Sequence, residues 1–203
     1  DEIRSQGLQE DWSAVVVEGA GLADLDDEAV AVARESFAKK GRAGFAPEEA
    51  RAWSLAEFAE RSRLTQNGQL TRAALLLLGK AESAWRLSPH PAQLTWSLQG
   101  QESAYEHFYP PLMLSTSRLY QRIRNVQIRL LPADQLLPVE VAKYDQQSVL
   151  EALHNCIAHQ DYALGARVIV TERPDRLIFE NAGTFFEGRP DEYVQTDKVP
   201  RRY

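Results

Sequence analysis

The stretch SVLEALHNCIAHQDYALG, residues 148–165, constrains this chain more than any other. At about 100° per residue its spacing predicts one amphipathic helix. Val149, Leu150, Ala152, Leu153, Cys156 and Ile157 fall on one apolar arc, which another element must cover. Glu151, Asn155 and His159 fall together on the polar side. Glu151 and Asn155 are four residues apart and therefore neighbours one turn up. Glu and Asn on a polar helix face are ordinarily no more than solvated side chains. Two details weigh against that. The face carries no Lys or Arg, and Asn is a poor helix former whose interior position asks for a use. A carboxylate can orient or deprotonate water, and a carboxamide oxygen is a good Mg²⁺ ligand.

The elements available to cover the arc follow from the rest of the chain. A helix is expected over 27–39, with Asp24 or Asp26 as its cap, Ala29, Val30, Ala33 and Phe37 on one face, and Lys39 and Lys40 at its end before Gly41. Pro47 opens a second helix, expected to run to 63. Asn67-Gly68 is a turn, and Thr71 caps a short apolar helix stopped by Gly79. Pro110-Pro111 opens a long helix over 112–125. Strand character appears at 13–17, 92–99, 105–109, 126–131, 166–171 and 176–180, with an extended arm over 136–144. The tail, 184–203, offers no convincing regular element. Helices come first, then strands and helices mixed, which predicts an α+β fold: a mixed or antiparallel sheet with helices packed on one face.

Composition excludes several functions. A net charge of −6 on 203 residues argues against a chain that clamps nucleic acid by itself. One cysteine, Cys156, excludes a disulfide framework and a Cys-rich zinc cage. His154, Cys156 and His159 point to different sides of the wheel, so they do not suggest a metal site. No apolar run reaches the length of a membrane span, and no signal-peptide pattern opens the chain. A cytoplasmic protein without a membrane partner is expected. The chain starts at Asp1 with no initiator Met, which reads as a fragment of a longer protein. Arg118, Arg122, Arg124 and Arg129, with Tyr120 among them, form a basic cluster that reads more readily as solvated charge than as a phosphate contact. No P-loop of the G-x-x-x-x-G-K-[ST] type is present, so a helicase motor is not expected.

ALHNCIAHQDY, a strand, and then DRLIFENAG resemble the nucleotide-binding fold shared by gyrase-type ATPases, ninety-kilodalton heat-shock chaperones, sensor histidine kinases and mismatch-repair ATPases. More narrowly, they are similar to a bacterial branch of transcriptional regulators and ATP-dependent DNA helicase-related proteins. In that branch a Schlafen-type, AlbA-like DNA-binding domain lies upstream and a winged helix downstream. LTRAALLLLGK resembles the start of the branch's ATP-binding domain. The resemblance implies a helical connector over 1–63 and a gyrase-type ATP-binding domain over 64–203, its C-terminal part missing. It implies ATP and Mg²⁺ as cofactors. Glu151 would activate the attacking water and Asn155 would hold the metal. Asn181, where most of the superfamily has Asp, would accept from the adenine amino group, and Gly183 would let backbone approach the base. DNA would be contacted through domains outside the fragment, and a second copy is a possible partner. The function implied is a DNA-binding transcriptional regulator switched by nucleotide, a weak ATPase at most. The sequence also departs from the pattern. Gln160 replaces Arg, Ala182 replaces Pro, and after Gly183 the only glycine is Gly188, so nothing resembles a phosphate loop. These departures suit an alternative, the same fold kept as a scaffold or dimerisation module without nucleotide.

Overall fold

The computed structural model describes residues 11–40, 45–130 and 139–183, with the side chains of 127–130, 139 and 140 excepted. The expected features of the 184–203 tail, Gly188 included, lie outside the described residues. The expected strand at 13–17 is instead a 3-10 turn, Trp12–Ala14, followed by a single bridge from Val16 to Thr71. Helix α1 (Asp27–Lys40) begins where the Asp26 carboxylate accepts from the Ala29 N–H at 2.9 Å. Asp27 and Glu28 at its front and Lys39 and Lys40 at its end complement the helix dipole.

The single helix expected from Pro47 is broken into α2 (Pro47–Ala52) and α3 (Leu55–Arg61). The reason is local. The Ser54 hydroxyl accepts from the Glu57 N–H, and the Glu57 carboxylate accepts from the Ser54 N–H, so Ser54 starts a new helix. Asn67 and Gly68, both at positive φ, join β1 (Thr65–Gln66) to β2 (Gln69–Leu70) in a two-residue hairpin. Thr71 then caps α4 (Arg72–Leu78).

The central sheet follows. β3 (Leu94–Leu98) and β4 (Ala104–Phe108) form an antiparallel pair. α5 (Leu112–Arg122) leads into a separate ribbon of β5 (Gln127–Leu130) and β6 (Val139–Ala142). The expected strand at 126–131 and the extended arm therefore pair with each other and not with the sheet. α6 (Gln146–His159) is the central helix. After it come β7 (Val168–Glu172) and β8 (Leu177–Glu180). The sheet order is β4-β3-β7-β8, with β3 and β7 parallel and the outer pairs antiparallel. α5 packs on β3 and β4, α6 packs on β7 and β8, and the two helices pack on each other. The fold is α+β with a mixed sheet.

One core runs through all of this. Ala29, Val30 and Ala33 of α1 and Leu75 and Leu78 of α4 belong to the same buried cluster as Trp96, Leu153 and Val170. Residues on either side of 63/64 thus share an interior. From α6 the cluster receives Val149, Leu153, Cys156 and Ile157, while Leu150 and Ala152 are half-buried at its rim. The helix starts on Asp145, whose carboxylate accepts from the Ser148 N–H at 2.8 Å. It ends at His159, short of the expected 165, and Tyr162–Leu164 forms a separate 3-10 turn closed by Gly165 at φ +63°.

Candidate functional site

Glu151 and Asn155 stand exposed, one turn apart, on the outer face of α6. They line an open polar cleft of about 720 Å³ together with Lys40, Asp145, Gln146, Gln147, Leu150 and His154. Among the described residues, neither the Glu151 carboxylate nor the Asn155 carboxamide makes a hydrogen bond or ion pair. Their neighbours differ. The Asp145 carboxylate is occupied by Ser148, whose N–H and hydroxyl both donate to it and hold its pKa below the usual carboxylate range. The His154 ring lies 3.4 Å from the Thr116 hydroxyl, which itself donates to the Met113 carbonyl. Desolvation first, and the Lys40 charge second, hold His154 below its ordinary pKa, so the ring is neutral near neutral pH.

This donor set suits one kind of metal. No group of three His, Cys, Asp or Glu side chains converges among the described residues. Asn155 offers one free carboxamide oxygen, with Glu151 beside it. Mg²⁺ is commonly held by one or two protein oxygens with waters and substrate phosphates completing the shell. The residues fit a Mg²⁺ brought by a phosphorylated ligand and do not fit a freestanding metal centre.

Asn181 and Gly183 sit beyond the other end of α6 and are engaged with it. Asn181 Nδ2 donates to the His159 carbonyl at 3.1 Å. Gly183 has φ +138°, and a Cβ there would lie 3.4 Å from the His159 carbonyl oxygen and 3.5 Å from Asp161 Cβ. Around them the polar groups interlock. The buried Gln160 donates to the Ala166 carbonyl at 2.9 Å and accepts from the Ala182 N–H at 2.8 Å. The Asp161 N–H donates to the Ala182 carbonyl at 2.7 Å. His90 Nδ1 accepts from the Ala92 N–H at 2.9 Å, so its Nε2 carries the proton and donates to the Ala166 carbonyl at 3.0 Å. The Asp161 carboxylate accepts from the Ala163 N–H at 3.0 Å, which ties the helix end to the next loop.

Two of the sequence departures, Gln160 and Asn181, therefore have a local meaning. Gln160 supplies one donor and one acceptor at a place where Arg supplies only donors. Asn181 supplies a donor that Asp lacks, and its Oδ1 remains available. Sequence reasoning marked Gln160 only as a departure from the family pattern and gave it no structural role.

At 1.5 Å per residue, Asn155 lies about 6 Å and Glu151 about 12 Å along the axis from His159. Glu151 and Asn155 are brought into one cleft, and Asn181 and Gly183 are placed together at the helix end.

Two of the four arginines of the basic cluster are taken up by other groups. Arg122 lies over the Trp96 ring and pairs with Glu106 at 2.7 Å. Arg124 pairs with Glu102 at 3.2 Å and with the buried Glu172 at 3.4 Å. Glu172 also accepts from Trp96 Nε1 at 2.9 Å. The Arg129 side chain lies outside the described residues. Cys156 is buried, and desolvation pushes its thiol pKa up, which keeps it a packing group.

Comparisons with known proteins extend these observations only to the fold. A family model described as a domain of unknown function, DUF8451, matches residues 2–93. That segment crosses 63/64 and stops before the central helix. No curated protein matches the chain. Among solved structures, the chain is similar to the DIP2311 protein from Corynebacterium diphtheriae, with a TM-score of 0.60 at 18% identity. The likeness covers 90% of this chain and 36% of that one, so this chain spans about a third of that protein's length. No described helix is long and apolar enough to cross a membrane.

Proposed function

We propose that this chain is the nucleotide-binding part of a bacterial DNA-binding transcriptional regulator, with MgATP acting as a switch along the polar edge of α6. The observation that carries the reading is the pair Glu151 and Asn155. They stand one turn apart over a cleft, with side chains that nothing else among the described residues uses. The Asn155 oxygen would hold the metal, which when bound supplies charge neutralisation to the phosphates. Glu151, beside it, would orient a water, and weak hydrolysis at most is proposed. Asn181 Oδ1 would accept from the adenine amino group while Nδ2 stays on the helix end. DNA contacts are assigned to regions outside residues 1–203, the compartment to the cytoplasm, and dimerisation to a second copy.

One observation favours a second reading, a scaffold without nucleotide. Asn181 Nδ2 and Gly183 are already committed to the end of α6, so a packing role explains both. Calorimetric titration of a non-hydrolysable MgATP analogue separates the two. It is run into the chain and into a form extended beyond Tyr203. Saturable binding, weakened about tenfold by Asn155→Ala, supports the switch. Binding indifferent to Asn155→Ala refutes the metal assignment. No binding by either form leaves the scaffold, to be pursued by sedimentation and DNA-binding measurements.

A further inference from the structure

We infer that Lys40, contributed by the N-terminal helix α1, belongs to this nucleotide site and meets the terminal phosphate of a bound nucleoside triphosphate. The inference rests on the nucleotide reading given above.

Lys40 stands more than a hundred residues before Glu151 in the sequence, yet it lines the same cleft as Glu151 and Asn155. Among the described residues it is the one Lys or Arg in that lining, which also holds the carboxylates of Asp145 and Glu151. A polyphosphate entering a cleft with two carboxylates and no cation would be repelled. A single ammonium group, together with Mg²⁺ on Asn155, changes that balance.

Position along α6 selects the phosphate. The cleft runs along α6 from Asp145 to Asn155, whereas Asn181 and Gly183 lie past its C-terminus. A nucleotide with its base at Asn181 therefore ends beside Glu151 and Lys40.

Lys40 is also available and anchored. Its neighbour Lys39 pairs with Glu35 at 3.6 Å, but no described carboxylate lies within ion-pair distance of Lys40. Asp145, the other charged group at that end, is taken up by Ser148. Two residues earlier, Ala38 is buried in the core, which fixes the backbone from which Lys40 projects. The same ammonium group also suits the end of α1, where the dipole favours a cation. A dipole role alone would not discriminate between nucleotides.

The test is calorimetric titration of MgADP and of the magnesium complex of adenylyl imidodiphosphate into the full chain and its variants. Lys40 is exposed and Gln is a good helix former, so Lys40→Gln is expected to keep the circular dichroism spectrum. Lys40→Gln is expected to weaken the triphosphate analogue about tenfold and MgADP less than about twofold, with Lys40→Arg restoring most of the loss. Equal loss for both nucleotides, or no loss for either, overturns the inference. If neither the wild-type chain nor the form extended beyond Tyr203 binds either nucleotide, the nucleotide reading falls and this inference with it. If either form binds both, and Asn155→Ala weakens both while Lys40→Gln changes nothing, only the role of Lys40 falls.

Discussion

The body of α6 and its C-terminal end carry similar residue types and use them in opposite ways. Along the body, Glu151 and Asn155 face an open cleft with no described partner. Past the C-terminus, Asn181 and Gln160 spend polar atoms on the backbone of His159, Ala166 and Ala182. Between Gln160 and Asn155 the difference is one of accessibility. Gln160 is buried, and a buried amide without partners is costly, so its environment must satisfy it. Asn155 is exposed, water satisfies it, and its chemistry remains available. A motif that reads as one functional unit in sequence is thus half open chemistry and half structural clip.

The comparison breaks most visibly at Gln160. Gln160→Leu removes partners from the Ala182 N–H and the Ala166 carbonyl and is expected to cost about 2–3 kcal/mol in urea unfolding. A loss below about 0.5 kcal/mol would mean the clip is not needed for stability. Gly183→Ala comes next, at about 1–2 kcal/mol, because φ +138° is a region essentially reserved for glycine. Asn181→Asp is expected to cost about 1 kcal/mol, since a carboxylate cannot donate to the His159 carbonyl. If it is neutral or stabilising, Asn181 is free to serve a ligand and the clip reading is wrong there.

A smaller effect is read from pH. Burial lowers the pKa of His90 below its ordinary 6.5 in the folded chain. The unfolded chain then binds the extra proton first. The stability contribution is complete above 6.5 and is lost as pH falls from 6.5 through the folded-state value. His90→Gln should flatten part of this slope in unfolding measured between pH 5 and 7, roughly the span over which histidine titrates. His154, also held low, would supply the remainder. An unchanged slope would remove His90 from the clip's energetics.

The smallest stability effect belongs to the open cleft. Asn155→Ala should stabilise by about 0.5 kcal/mol, because Ala is the better helix former and no described bond is lost. A clear destabilisation would show a structural use for Asn155 and weaken its assignment to metal.

Much of the fold was legible. The cap at Thr71 and the turn at Asn67-Gly68 are local chemistry and were legible directly, though not the two short strands that the turn joins. The Ser54-x-x-Glu57 box was equally local, and overlooking it merged two helices into one. The apolar arc of α6 predicted Val149, Leu153, Cys156 and Ile157 as core. Other features were not legible. β5 and β6 have strand patterns like those of the sheet, and nothing local says that they pair with each other. Glu172 follows the strand expected over 166–171 and carries no local signal of burial. It is buried because Trp96 and Arg124, both distant in sequence, donate to it.

By itself the sequence determined which residues share a helix face, where most helices start, and that Glu151 and Asn155 stand together, since all of these follow from backbone periods and neighbours within a few residues. The tertiary structure decided the rest. It brought Lys40 to their side, turned Gln160 into a clip and stopped α6 at His159. Those outcomes depend on hydrogen-bond partners and charges that meet only when segments remote in sequence pack on one core.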